Sequence, residues 1–247
     1  MKISIITPSL NQGPHIAECI GSVGGDGASV EHIVVDGGST DSTLGVLRAS
    51  PSIRWVSEPD RGQSHAINKG LAMATGDILA YLCADDLYEP GALEKVRAAF
   101  AGNPGTDVVH GDFFFLEAGG QKRLKRSGPF TPGRLAKGNF LGQPAVWWRR
   151  GVYGKFGGFD ESLHFCMDHE YWLRIAAGTR WHYIAEPLAS CRLHAGAKTS
   201  RQLAAAWREA AQMLTREKFR LRPWWDYWNM LVWGRHHYRA KRWWFSR

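Results

Sequence analysis

Residues 76–90 read Gly76-Asp77-Ile78-Leu79-Ala80-Tyr81-Leu82-Cys83-Ala84-Asp85-Asp86-Leu87-Tyr88-Glu89-Pro90. The apolar run from Ile78 to Ala84 shows no polar alternation. That is the pattern of a strand buried on both faces at the centre of a sheet. It stops on two adjacent carboxylates. Acids in such a place are costly unless positive charge meets them, and a divalent cation carrying a diphosphate supplies that charge. In open α/β sheets, ligands collect beyond the carboxyl ends of the strands. A helix cap ahead of Pro90 accounts for one of the two acids, and less readily for both.

The flanking sequence repeats the same alternation. Strands are expected at Ile3–Thr7, Glu31–Val35, Ile53–Ser57, Ile78–Cys83 and Asp107–Gly111. Helices are expected at His15–Val23, Ser64–Ala74 (with Gly76 ending it) and Pro90–Phe100. Repeated β-α-β units predict an α/β fold with a mostly parallel central sheet and right-handed crossovers. The second half is less regular. Phe113–Leu116 and Gln121–Leu124 flank Gly119-Gly120 as a hairpin, and Phe140–Arg150 contains a strand. Asp168–Ala177 reads as a helix, Trp181–Ile184 as a short strand and Arg201–Phe219 as a long helix. One domain with a C-terminal helical appendage is the expected organisation.

Composition narrows the class. The chain has 247 residues, 44% hydrophobic and 22% charged, as in ordinary soluble proteins. Cys19, Cys83, Cys166 and Cys191 are scattered without CxxC spacing, which disfavours a zinc site or a disulfide framework and fits a reducing compartment. The N-terminus lacks the pattern of a secretory signal, and no run reaches the roughly 18 apolar residues of a membrane span. The net charge is +8, and residues 216–247 hold nine Lys/Arg against Glu217 and Asp226, leaving the remainder almost neutral. A polyanion-binding role for the whole protein is thereby disfavoured. Six of the twelve tryptophans lie in that tail, at 224, 225, 228, 233, 243 and 244, among the arginines. Trp with Arg suits an anionic membrane surface; packing on the core is the equal alternative, and nucleic acid is not expected.

Together these pieces resemble the family 2 inverting glycosyltransferases of the GT-A, Rossmann-like fold. The resemblance runs over Ser4–Asn11, Val34–Asp41, Ser57–Gly62, Asn68–Gly70, Gly76–Leu79 and Asp85-Asp86, then Gly157–Glu161 and Met167–Arg174. It implies a glycosyltransferase domain over residues 1–200, with a nucleotide-binding half at 1–110 and an acceptor-side half at 111–200. A basic, Trp-rich helical extension at 201–247 follows. It implies a nucleotide-sugar donor, a UDP-sugar first, and a glycan or lipid-linked acceptor. The expected location is cytoplasmic, with a peripheral contact to the inner face of the cell membrane.

The resemblance also assigns roles. Asp86 would be the direct ligand of Mg²⁺ or Mn²⁺, and Asp85 would face the ribose or the ion. Cys83 stands where the motif commonly has an acid. Asp36, at the end of the second strand, would bind the nucleotide base as an exposed carboxylate, with help from a Thr7-Pro8 turn and Asn11. For Asp41 a helix cap is the preferred reading. Asp168 would be the general base for the acceptor hydroxyl. Its neighbours Glu170 and His169 read as a helix-dipole charge and a structural histidine. His194 would join the metal or pyrophosphate, with Arg192 clamping the diphosphate beside Lys198 and Thr199. Asp60, Gln63, Lys69 and Gln143 are softer substrate-side candidates. Two other classes remain open at this stage. A nucleotidyltransferase would want a basic loop after the first strand, and Ser9-Leu10-Asn11-Gln12-Gly13 carries no cation. A non-catalytic module would act through its tail.

Overall fold

The first strand, β1 (Ile3–Ser9), is buried along its whole length. It pairs in parallel with β2 (Val30–Asp36) on one side and β4 (Ile78–Tyr81) on the other. β3 (Arg54–Ser57) extends β2 in parallel at the edge. This computed structural model describes residues 1–24, 29–194 and 202–215. Between these strands run α1 (Ile16–Val23), α2 (Thr43–Arg48) and α3 (Gln63–Met73). Ile16, Val34 and Leu47 form one cluster, so α1 and α2 cover one face of β2. Successive strand residues point to opposite faces. Gly70 of α3 accordingly lies against Ile6 on the other face, where a Cβ would stand 2.4 Å from the Ile6 Cγ2.

The chain therefore winds outward from β1 to β3, then crosses back on the opposite face to lay β4 beside β1. The order reverses between β1 and β4, and a crevice opens at such a switch point beyond the strand ends. Residues 82–86 sit there because β4 ends there.

The second half continues the sheet. β8 (Val146–Arg149) lies antiparallel to β4, β6 (Val108–Leu116) antiparallel to β8, and β9 (Trp181–Arg192) parallel to β6. The two-residue β5 (Leu87–Tyr88) pairs with β9 at Ser190 and Ala189, and β7 (Lys122–Lys125) forms the hairpin with β6. The path is β3-β2-β1-β4-β8-β6-β9-β5. Because β5 directly follows Asp86, its pairing with β9 returns residues 192–194 to the end of β4.

Several elements differ from the sequence expectation. The strand at 107–111 and the hairpin arm at 113–116 are one strand, β6, carried through a register shift at Gly111–Phe113. β9 runs to Arg192 instead of stopping at Ile184, because that shift lets it pass Ala185-Glu186-Pro187 without losing its partner. Gly76 is not a helix end. A Cβ there would lie 2.6 Å from Ser4 N and 2.8 Å from Lys2 O, so it permits close backbone approach to β1. α4 (Ala92–Gly102) begins after Gly91, which takes φ 77°, and not at Pro90.

After α5 (Pro132–Lys137) and α6 (Arg150–Phe156), α7 (Met167–Ala176) is buried almost all round, with Tyr171, Trp172 and Ile175 fully enclosed. Each such side chain contributes about 1.5–3 kcal/mol by burial, against roughly 0–1 kcal/mol for a surface ion pair. Packing, not charge, holds this helix. Glu170 is not a surface dipole charge. It is buried and pairs at 2.9 Å with Arg174, whose guanidinium also donates to the carbonyls of Phe156 and Gly158.

At the opposite end of the sheet, the buried Glu31 joins four segments. Its carboxylate accepts from Ser4 Oγ at 2.6 Å, Thr75 N at 2.8 Å and Arg54 NH1 at 2.7 Å. Burial pushes its pKa up, but these donors outweigh burial and bring it down to about 2 from 4.5. A depressed carboxylate stabilises the fold above its unfolded pKa and loses that contribution as pH falls through the folded one. We expect Glu31→Gln to cost on the order of 3 kcal/mol at pH 7. Urea unfolding of both proteins at pH 7 and pH 3 checks this: the gap between them narrows at the lower pH, and a gap independent of pH contradicts it.

Candidate active site

The side chains at the end of β4 form one cluster. Ligand atoms of Cys83, Asp85 and Asp86 lie within 4.8 Å of one another. Asp86 is buried, and its Oδ1 accepts from the backbone N–H of Arg192 at 2.9 Å. Burial, then the charge of Asp85, pushes its pKa well above the usual carboxylate range. One amide and the neighbouring Arg192 only partly offset this. A buried acid beside a second acid is the donor set a hard divalent cation satisfies, so the residues fit Mg²⁺ or Mn²⁺. The Cys83 thiol is braced by Gln63 Nε2 at 3.2 Å and reaches Gln143 Oε1 at 3.5 Å.

β9 supplies the opposite wall. The Arg192 guanidinium spans from the Asp85 carbonyl at 3.0 Å to Glu18 of α1 at 2.5 Å. His194 Nε2 meets Asp85 Oδ2 at 3.0 Å, and its ring lies 5.0 Å from that of His15. His194 thus touches Asp85 and stands outside the three-residue ligand group of Cys83, Asp85 and Asp86. Lys198 and Thr199 lie outside the described residues.

Asp168 is the second residue of α7. Its Oδ2 accepts from Asn139 Nδ2 at 2.8 Å and its Oδ1 from the His169 backbone at 2.7 Å. Burial raises its pKa, and His169 and Asn139 temper the rise. The Cys191 thiol is pushed up by burial and then by Asp86, Asp85 and Asp168, so all three carboxylates bear on one sulfur. Tyr81 likewise feels both Asp168 and Asp86. The structure therefore gathers Asp85, Asp86, Arg192, His194 and Asp168 around the ends of β4 and β9. His169 is structural as expected, its Nε2 lying 2.9 Å from the Leu135 carbonyl.

The nucleotide-side expectations change more. Asp36 is fully buried, not exposed. Its carboxylate accepts from Gly38 N, Ser39 N, Ser39 Oγ and Ser57 Oγ at 2.5–3.1 Å, so it shapes the loop after β2 and offers no open face to a base. Thr7 and Pro8 form no turn, because β1 continues to Ser9. Thr7 Oγ1 points under α1 and meets His32 Nε2 at 2.8 Å. Pro8 faces the β4 side, as Ile6 does, but lies past Tyr81, where no ladder donor is needed. The bend comes at Asn11, with φ 52°. Exposed Asn11 accepts from Thr40 N at 2.9 Å and donates its own N–H to Ser39 Oγ at 2.7 Å. Asp60 closes this shelf: a Cβ on Gly37 would stand 2.6 Å from its Oδ2. Asp41 accepts from Thr43 N at 2.9 Å, the local cap expected of it.

Two softer candidates have protein partners of their own. Lys69 pairs with Glu58 at 2.7 Å, and Gln143 Nε2 donates to the Tyr81 carbonyl at 2.6 Å. Missed by the sequence were Asn139, Glu18 and His15, which lie in no recognisable motif.

Comparison with known proteins agrees with this geometry. Residues 4–174 match the family model described as glycosyl transferase family 2. A PGL/p-HBAD biosynthesis glycosyltransferase of Mycobacterium bovis is 32% identical over 181 residues, covering 69% of this chain and 68% of that protein. An uncharacterised glycosyltransferase of Mycobacterium tuberculosis is 30% identical over 180 residues, covering 70% and 68%. Among solved structures, S. aureus TarS 1–349 in complex with UDP-GlcNAc superposes with TM-score 0.71 at 17% identity, over 94% of this chain and 70% of that one. The mannosyltransferase PcManGT from Pyrobaculum calidifontis, in complex with GDP-Man and Mn²⁺, gives 0.61 at 25% identity over 86% and 61%.

The paired acids carry a stability consequence. A raised pKa means the folded state holds the Asp86 proton more tightly than the unfolded chain, so ionisation at neutral pH costs stability. In chelator, Asp86→Asn is expected to melt no lower than the parent protein. Added Mn²⁺ raises the melting temperature of the parent by mass action and leaves the variant unmoved. Equal Mn²⁺ shifts in the two proteins would remove Asp86 from the cation site.

Proposed function

The chain belongs to glycosyl transferase family 2, and we propose that it is an inverting hexosyltransferase. The donor is a nucleotide sugar, a UDP-sugar in the first instance, and the acceptor is a hydroxyl of a glycan or lipid-linked molecule. The observation that carries this reading is the pair Asp85 and Asp86 gathered with Cys83 at the end of β4, with Arg192 and His194 of the β9 side against them. The mannosyltransferase solved with GDP-Man and Mn²⁺ supports a nucleotide-sugar donor and a divalent cation.

Asn11, Asp60 and the Gly37–Ser39 loop form the shelf on which the nucleoside rests. Asp86, with Asp85, would hold Mg²⁺ or Mn²⁺. When bound, the ion supplies positive charge to the diphosphate as it departs. Arg192 holds the Asp85-Asp86 turn through its backbone and guanidinium, and His194 fixes the Asp85 carboxylate. Asp168, oriented by Asn139, takes the proton of the acceptor hydroxyl as that oxygen forms its bond to the anomeric carbon. The bond from that carbon to the diphosphate oxygen breaks with its electron pair, and attack from the opposite side inverts the configuration. Burial raises the proton affinity of Asp168, which suits a base.

No helix among the described residues is long and apolar enough to cross a membrane. The tryptophan- and arginine-rich stretch from Arg220 lies outside the described residues. Its composition supports a peripheral contact with an anionic membrane, where a lipid-linked acceptor resides.

Product from a panel of nucleotide sugars, read by anomeric coupling constants, tests the reading. Inversion with one preferred nucleotide is expected. Asp168→Asn should lower kcat about 10²–10⁴-fold with donor affinity retained. The acid limb of the parent rate profile should lie above the ~4 of an ordinary aspartate, because activity needs the ionised carboxylate and its pKa is raised. Retention of configuration, or an acid limb below pH 4, overturns the assignment.

A further inference from the structure

The helix α8 (Leu203–Thr215) lies beyond residues 4–174, the stretch that matches the family. It nevertheless reaches the start of the helix that bears Asp168. Glu209 of α8 accepts from three consecutive backbone amides: His164 N at 2.8 Å, Phe165 N at 2.7 Å and Cys166 N at 2.9 Å. The Cys166 thiol adds a fourth contact at 3.2 Å. Successive amides directed at one point make an anion nest, and α7 begins at the next residue, Met167. The α7 side offers no cap of its own, for Cys166 makes no side-chain capping bond. α8 is anchored for this task by Met213 and Leu214, both buried in the main core. Burial alone would raise the Glu209 pKa, yet the three amides bring it below the usual range, so the nest holds a carboxylate.

We infer that Glu209 is a positioning residue for sugar transfer: by filling the nest at residues 164–166 it fixes where α7 starts, and with it the Asp168 carboxylate two residues further on. This rests on the reading of Asp168 as the base. The physical chain is short. Charged acceptors of amide hydrogen bonds are about twice as strong as neutral ones, and three bonds to one carboxylate fix the loop as a unit. Asp168 is the second residue of α7, so any swing of the 164–166 loop moves it directly. A displacement of about 1 Å at a reacting group can cost on the order of 10²-fold in rate. The donor site is built from the ends of β4 and β9 and the loops after β1, β2 and β3, and contains none of these atoms. Loss of Glu209 therefore affects the acceptor half of the reaction and spares donor binding. The helical extension becomes a working part of the active site.

The test uses the full chain with Glu209→Ala and Glu209→Gln, measured for donor Kd, for kcat of transfer and for hydrogen exchange over residues 163–169. A solvent-open cleft of about 210 Å³ between the loop and α8, lined by Ser162, Phe165, Glu209 and Gln212, lets a small carboxylate reach the emptied nest. We expect Glu209→Ala to exchange faster over that segment, to keep donor Kd within about twofold, and to lose roughly 10- to 100-fold in kcat. Formate should restore part of that kcat, which a general loss of folding does not allow. Glu209→Gln keeps an acceptor oxygen and the size of the side chain, so it should fold normally and fall between parent and Ala variant. Full kcat in both variants overturns the inference, as does a loss that formate leaves untouched in a folded Glu209→Ala protein. Activity retained by Asp168→Asn, by contrast, overturns the base assignment itself and is read separately.

Discussion

A buried carboxylate, Asp86, held by the backbone N–H of Arg192 at 2.9 Å, is the constraint on which the site depends. It joins the parallel half of the sheet to the last strand of the second half. Neither half alone makes the site: β4 delivers two acids with too little positive charge, and β9 delivers Arg192 and His194 with nothing to grip. The two-residue β5 forces them together by pairing Leu87 with Ser190. The like charges cost stability, a cost that the proposed cation with its diphosphate would remove.

Much of this was legible in the sequence because it follows from local pattern. The unbroken apolar run at 78–84, closing on two acids, gave a central strand and a switch-point site together. The alternation of strands and helices gave the parallel half. The less legible parts depend on long-range register. β9 reads as a strand of four residues because Ala185-Glu186-Pro187 interrupts its pattern, and only the pairing with β6 carries it to Arg192. Asp36 reads as an exposed ligand from its place at a strand end. Whether a carboxylate there faces a base or its own loop is decided by Ser39 and Ser57, and the latter lies 21 residues away. Asn139 and Glu209 carry no local signal at all, since each matters through one partner distant in sequence.

The stretch matching the family ends at residue 174, just inside the helix that carries Asp168. Two features bear on how the site is held, one on the donor side and one beyond that stretch. Cys83 places a thiol beside the paired acids, braced by Gln63 and Gln143. α8 then returns from outside to close the loop ahead of α7. The acids set the chemistry, while these neighbours set how rigidly it is held.

The central claim is that Asp85 and Asp86 hold a divalent cation that grips the donor diphosphate. Electron paramagnetic resonance of Mn²⁺ titrated with protein and UDP reads this directly, because bound Mn²⁺ loses its sharp free-ion signal. The account predicts one Mn²⁺ taken up per chain, more tightly with UDP present than without it, and no such uptake by Asp85→Asn/Asp86→Asn. Full uptake by the double variant, or UDP binding of equal strength in chelator, contradicts it.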